Sequence, residues 1–363
     1  MSAHGRPKGS YRSTQCEGTP VSARDDAMTR TLRVSVVVPT FHRVGLLMRC
    51  LHALLAQRLA PEAYEVVVVD DGREDAVRMA VEGLASRRRR HGLPTPRLHY
   101  LRNPDGQGPA AARNCGWRAA RAPIVAFTDD DTIPDAGWLV AGLAAMDAHP
   151  AWSAAAGRVD VPLEGDPARR PTDHELMTLG LAHAEFVTAN AFVRRGALAA
   201  IGGFDERFRR AWREDSDLQF RLLREQGPVG RADEAVVVHP VRRERWGVSL
   251  RQQRNTFFDA LLYKKHPRLY RERIRRVPPW DYYLIVALAV AAGVAAAAGQ
   301  GGGAAVAGVL MLALVLRIGW RRLRVTDRSP RHTAEMLLTS AAIPFLSVWW
   351  RLRGALHFRV LFL

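Results

Sequence analysis

The chain has 363 residues, 48% of them hydrophobic, which is enough to bury a large α/β core and excludes a wholly disordered protein. Its 53 Lys and Arg outnumber 36 Asp and Glu, and the formal net charge of +17 suits an anionic partner: nucleic acid, anionic lipid or a phosphorylated substrate. The three cysteines, Cys16, Cys50 and Cys115, show neither metal-ligand nor redox spacing and suggest no disulfide framework, so a reducing compartment is the simplest reading.

The first thirty residues hold no continuous apolar stretch, so they are expected to be a disordered leader (1–31) and not a secretory signal. Ordered sequence then begins with Val34-Ser35-Val36-Val37-Val38, a buried strand stopped by Pro39-Thr40. Val44, Leu47, Met48, Leu51, Leu54 and Leu55 recur at helical spacing. A second buried strand, residues 65–69, runs into Asp70-Asp71-Gly72, and an arginine-rich helix over 74–90 crosses back to a third strand at 98–101. Residues 110–121 read as a helix, and 124–128 as a fourth strand that ends in Asp129-Asp130-Asp131. Strands alternating with helices predict βαβ units and a Rossmann-like, mostly parallel sheet that takes ligands at the carboxyl ends of its strands. The acidic residues stand at those ends.

Residues 151–239 are less regular, with a helix starting near Glu214 and a strand at 236–238 that ends at His239. A basic helical linker over 261–280 follows. Residues 282–316 are apolar and almost uncharged, broken by Gly299-Gln300-Gly301-Gly302-Gly303. Each half reaches the roughly 17–25 residues that a membrane crossing needs, so a transmembrane hairpin over 281–320 is expected. Arginines flank both outer ends, so those ends and the preceding α/β domain are expected on the cytoplasmic side of a multi-pass cell-membrane protein. The basic tail, 321–363, carries a further apolar segment at 334–350, expected to be an interfacial or third membrane helix.

Five motifs occur in order: VSVVVPTFHR (34–43), VVVVDDG (66–72), GPAAARNCG (108–116), FTDDD (127–131) and REDSD (213–217). Together they resemble the family-2 glycosyltransferases of GT-A fold, over residues 33 to 260 or so. The resemblance implies a catalytic domain at 32–260 that takes a nucleotide-sugar donor, with a glycan or a polyprenyl- or other lipid-linked acceptor at the membrane.

A divalent cation needs oxygen ligands, and the Asp triplet can aim two carboxylates at one point; the same acids would also serve as turn residues. By resemblance this is the Asp-x-Asp element, with Asp129 and Asp131 holding Mg²⁺ or Mn²⁺ and Asp129 and Asp130 facing the nucleotide sugar. A diphosphate leaving group calls for that cation, because charge accumulates on its oxygens as the glycosidic bond breaks. Resemblance also gives Asp71 the nucleotide base, although an Asp-Gly turn accounts for the residue on physical grounds. Pro39, Thr40 and Arg43 would line the same pocket, and Arg113 and Asn114 at a helix start suit a base or phosphate. His42 stands where the family more commonly has Asn. His239 is either structural or, as in some GT-A enzymes, a third metal ligand.

Glu214 and Asp215 head a helix, where acids favour the dipole. In the resembling family this Glu-Asp pair is catalytic, with Asp215 the base that takes the proton of an acceptor hydroxyl. One base and one leaving group on opposite faces of the sugar predict inversion. Asn190 and Asp217 are expected on the acceptor side. The sequence Arg251-Gln252-Gln253-Arg254-Asn255 has Asn where processive synthases carry Trp, which argues against a polymerase. Two other classes compete: a catalytically inactive nucleotide-sugar or lipid-phosphate binding protein of the same fold, which the intact acids oppose, and a nucleic-acid-binding protein. The arginines at 87–90 lack interleaved aromatics and fit a solvated helix face, so no nucleic-acid partner is expected.

Overall fold

The computed structural model describes residues 17–18, 31–103, 108–166 and 168–363; the expected leader lies outside these apart from Thr31 and the backbone of Glu17 and Gly18. One sheet organises the body. Its strands are β1 (Glu17–Gly18), β2 (Val34–Thr40), β3 (Tyr64–Asp70), β4 (Arg97–Arg102), β5 (Ile124–Thr128), β6 (Ile133–Pro134), β7 (Ala154–Asp160), β8 (Asn190–Arg194) and β9 (Val229–Val238). Their order in space is β1-β4-β3-β2-β5-β8-β7-β9-β6. The β4-β3-β2-β5 half is parallel, as the βαβ pattern requires, whereas β8 runs antiparallel to both β5 and β7.

The valine runs form strands because they are covered on both faces. Val34, Val36, Val38, Val66 and Val68 face Leu47, Leu51 and Leu54 of the helix Val44–Leu55 and Val77 and Val81 of the helix Ala76–Arg90. Val37, Val67, Val69, Val125 and Phe127 point the other way, onto Ala112 and Cys115 of the helix Pro109–Ala119 and onto Leu218 and Leu222. This period of two makes a three-layer body. Cys115 is disulfide-bonded, a departure from the expectation of unpaired thiols, since pairing is set by proximity in space and not by spacing in sequence. Cys50 is free and buried, and burial raises its thiol far above the ordinary range.

The stretch expected to be irregular contributes β7 and β8, and the helix Glu214–Glu225 follows them. Two apolar helices, Trp280–Ala297 and Gly301–Leu323, then form an antiparallel hairpin that meets the length and composition for crossing a membrane. They are not core helices: Val290, Val294, Val306, Val309 and Leu310 are all exposed. A 29-residue helix, Pro330–Phe358, runs through Pro344 and packs on the helix Thr256–Lys265 and on both hairpin helices. Its inward line is small and polar as well as apolar (His332, Thr339, Ser340, Ser347, Arg351, Gly354), while Leu337, Leu338, Phe345, Trp349 and Leu356 face outward. After it, Phe362 closes an aromatic cluster with Phe208, Phe258 and Tyr270.

Candidate active site

The carboxyl ends of β2, β3, β5 and β9 share one edge of the sheet, and the start of the antiparallel β8 meets them there. The Asp triplet follows β5 at this edge, and each carboxylate goes to a different partner. Asp130 is buried and accepts from Thr40 Oγ1 at 2.7 Å and from Arg43 Nη1 at 3.3 Å. Burial, aided by Asp131 and Asp129, pushes its carboxyl up to about 6 against the pull of Thr40 and Arg43. Thr40 and Arg43 thus hold the loop after β2 to the triplet, and Pro39 sits half-buried at the end of the same strand. His42, in the position where the family favours Asn, has φ +54, the left-handed region that Asn tolerates well.

Asp129, Asp131 and His239 bring one ligand atom each to within 4.8 Å of one another, a donor set of two carboxylates and an imidazole that can hold a divalent cation. His239 Nε2 lies 3.5 Å from Asp131 Oδ1, and its buried Nδ1 has no hydrogen-bond partner among the described residues. Asp131 is also 3.1 Å from Arg242 Nε, a residue that sequence reasoning missed although it lies three positions past His239. Arg113, almost fully buried, joins the two acidic centres: Nη2 donates to Asp129 at 2.7 Å and Nη1 to Glu214 at 3.1 Å. Two of its guanidinium nitrogens are thus engaged by acids of the site.

Glu214 and Asp215 follow Arg213, whose φ of +74 is left-handed. Burial raises both carboxyls above their usual values; repulsion from Asp215 adds to the effect on Glu214, with Arg113 opposing. Asp215 is half-buried and, among the described residues, its carboxylate accepts hydrogen bonds from Ser216 alone. Glu214 is buried against Arg113 and is better placed to anchor than to react. The Arg213 turn is held from behind. Asp259 Oδ1 accepts from Arg213 Nε at 2.8 Å and from Trp212 Nε1 at 3.0 Å, and Arg351 Nη1 of the last helix lies 3.7 Å from Asp259 Oδ2.

Asp71, half-buried, accepts from Asn103 Nδ2 at 2.6 Å and from the Gly108 N–H at 2.9 Å. Gly108 can make that contact because it takes φ +94, where a Cβ would also stand 2.5 Å from the Arg209 carbonyl oxygen.

Three expected contacts are corrected. Asn114 is spent inside the fold, its oxygen accepting from Trp117 Nε1 and the Phe204 N–H and its nitrogen donating to the Phe204 carbonyl and Glu206. Asn190 is fully buried, accepting from Trp138 and donating to the carbonyls of Arg158 and Ala235, so it ties strands together instead of facing an acceptor. Asp217 is sealed between Lys265, His266 and Arg221; burial would raise its carboxyl, but these three partners hold it below the usual range. Each was placed from motif position, and motif position does not show which way a side chain turns.

Residues 35–206 match the sequence profile of Glycosyl transferase family 2. The validoxylamine A glucosyltransferase of Streptomyces hygroscopicus subsp. limoneus is 30% identical over 254 residues, which cover 61% of this chain and 52% of that protein. The pre-mycofactocin glycosyltransferase of Mycobacterium tuberculosis is 31% identical, over 58% of this chain and 43% of its own length. The chain thus spans about half the length of the curated relatives it matches. Among solved structures, the mannosyltransferase PcManGT from Pyrobaculum calidifontis, in complex with GDP-Man and Mn²⁺, superposes with a TM-score of 0.55 at 24% identity, covering 87% of each chain, and shares the fold. With the five motifs in order and on one edge of that fold, the chain is similar to glycosyl transferase family 2 over residues 35–206.

Proposed function

We propose that the protein transfers a sugar, with inversion, from a nucleotide-diphosphate sugar to an acceptor hydroxyl on a glycan or lipid-linked molecule at the cytoplasmic face of the cell membrane. The observation that carries this reading is the pairing of two acidic centres across Arg113: the Asp129, Asp131 and His239 cluster, and the carboxylate of Asp215. Asp129, Asp131 and His239 would hold Mg²⁺ or Mn²⁺, which, when bound, neutralises charge growing on the diphosphate. That the structural neighbour's complex contains GDP-Man and Mn²⁺ supports both assignments. Asp71, Pro39, Thr40 and Arg43 form the nucleotide side, with Asp130 bracing Thr40 and Arg43. Asp215 takes the acceptor proton, a task that its raised affinity for a proton favours. The exposed apolar hairpin supports a bilayer as its surroundings, and the arginines at its base support cytoplasmic ends.

The test is a panel of nucleotide sugars offered to the full chain in detergent micelles with lipid-linked and glycan acceptors, reading nucleoside diphosphate release and the anomeric configuration of product by NMR. Inverted product from one donor is expected. Donor binding without turnover on any acceptor would favour a sugar-nucleotide binding protein instead.

A further inference from the structure

We infer that Asp259 is a positioning residue for the base: it holds the backbone turn that presents Asp215, and Arg351 ties that hold to the last helix of the chain. The role of Asp215 as base rests on the transferase reading above.

The turn is not held by its own helix. Arg213 is the N-cap of the helix Glu214–Glu225, yet its side chain makes no capping hydrogen bond. Its φ of +74 puts a residue other than glycine in the sparsely populated left-handed region. Such a conformation persists only where the surroundings over-determine it. The Arg213 carbonyl accepts from the Asp217 N–H at 2.9 Å, so this one residue both starts the helix and sets the direction in which Glu214 and Asp215 leave the turn.

The restraint comes from the helix Thr256–Lys265, far along the chain. Asp259 Oδ1 accepts from Arg213 Nε at 2.8 Å and from Trp212 Nε1 at 3.0 Å, so two successive side chains are gathered on one oxygen. The Arg213 guanidinium carbon also lies 4.6 Å from the centre of the Trp212 ring, and the two arrive at Asp259 as a stacked pair.

Asp259 is itself hard to move. It is buried, and its helix meets the last helix so closely that a Cβ on Gly354 would stand 2.4 Å from the Phe257 carbonyl oxygen. Three residues before Gly354, Arg351 Nη1 lies 3.7 Å from Asp259 Oδ2, and its guanidinium carbon is 4.6 Å from the centre of the Phe362 ring. Backbone contact, opposite charge and aromatic cover thus make a fixed point behind the turn. A general base needs one, because it works only within hydrogen-bond reach of the proton it takes. The hydrogen bonds from Ser216, the next residue, move with the turn and cannot supply it.

The test separates position from stability. Asp259→Ala, Asp259→Asn and Asp259→Ala/Arg351→Met are compared with wild type as full chains in detergent micelles. Three quantities are read: melting point, kcat and KM with the donor selected from the nucleotide-sugar panel, and backbone amide exchange over residues 210–217 relative to β3. Displacing a reacting group by about 1 Å can cost on the order of 10²-fold. Asp259→Ala should therefore lower kcat about tenfold or more with KM for the donor unchanged, and Asp259→Asn, which keeps an oxygen for Arg213 and Trp212, should retain most of the turnover. The double variant removes the stranded charge, so it should regain melting temperature but not kcat, with residues 210–217 still exchanging faster than in wild type while β3 does not. A kcat that recovers together with the melting point, or wild-type exchange over 210–217 in the double variant, makes Asp259 structural only and overturns the inference. If wild type releases nucleotide from no donor, the transferase reading has failed and exchange alone decides. Faster exchange over 210–217 in the double variant then supports the hold on the turn, and an unchanged rate overturns it.

Discussion

Replacing Asp259 by alanine should destabilise the protein by about 3 kcal/mol, because it leaves two arginines without their counter-ion. Removing one partner of a buried ion pair costs about 3–5 kcal/mol. Arg351 sits at the severe end: it is 1% exposed, and its Nε and Nη2 have no hydrogen-bond partner among the described residues. Arg213 is milder, being 22% exposed, and the 3.7 Å contact to Arg351 is an attraction of charges without a hydrogen bond, which together favour the lower figure. Asp259→Asn keeps an oxygen for Trp212 and Arg213, so it should cost less, roughly 1–2 kcal/mol. For a chain of this size 3 kcal/mol corresponds to a melting point lower by about 4 °C, readable as tryptophan fluorescence in detergent micelles. The double variant Asp259→Ala/Arg351→Met removes both charges and should recover at least half of the loss. An Asp259→Ala protein melting within 1 °C of wild type, or a double variant worse than the sum of its parts, would refute the reasoning.

Four other outcomes are expected. Chelator should abolish turnover and Mn²⁺ or Mg²⁺ restore it, and Asp131→Ala should remove activity with the melting point retained; full activity in excess chelator counts against a metal at the cluster. Asp215→Asn should lower turnover about 10²–10⁴-fold with donor binding intact, and wild-type activity should fall as pH drops through the raised pKa of Asp215; a loss of only a few-fold would make the residue a helix-dipole acid. Glu65 is held at about 2, well below its ordinary 4.5, because hydrogen bonds from His99, Ser35 and Arg121 outweigh the effect of burial. That depression contributes about 3 kcal/mol above pH 4.5 and is lost as pH falls towards 2, so Glu65→Gln should flatten the acid limb of a melting-point-versus-pH curve, and an unchanged limb would contradict the assignment. A single cysteine at Gly302 should be labelled by an impermeant thiol reagent in intact cells and one at Leu361 should not; the reverse pattern would invert the topology.

The parallel half of the fold and the acidic edge were legible because continuous valine runs have few other uses and the Asp clusters stand directly behind them. β7 was not, since Ala154-Ala155-Ala156-Gly157 has weak strand preference and pairs because β8 and β9 lie on either side. In the candidate site, the Asp129, Asp131 and His239 grouping could be anticipated, but the roles of Asn114, Asn190 and Asp217 could not. Each resembles a ligand contact by position and is turned inward by neighbours distant in sequence, such as His266 for Asp217, 49 residues away. The Arg351 to Asp259 contact depends on helix docking that no local pattern reports.

The aromatic cluster that Phe362 completes has Tyr270 on one side of the hairpin in sequence and Phe362 on the other. The chain leaves the folded body near Trp280, makes its apolar excursion, and returns at Pro330 to finish the interior it had left open. The hairpin is therefore a detour and not a tail. Cutting the protein at residue 279 would strip Phe258 and Tyr270 of their cover and yield an unfolded or aggregating fragment. Bridging the outer part of the hairpin, beyond the buried Ile285 and Ile318 at its base, leaves every buried contact of the body in place. An internal excision of that kind is the route by which this architecture could be brought into water.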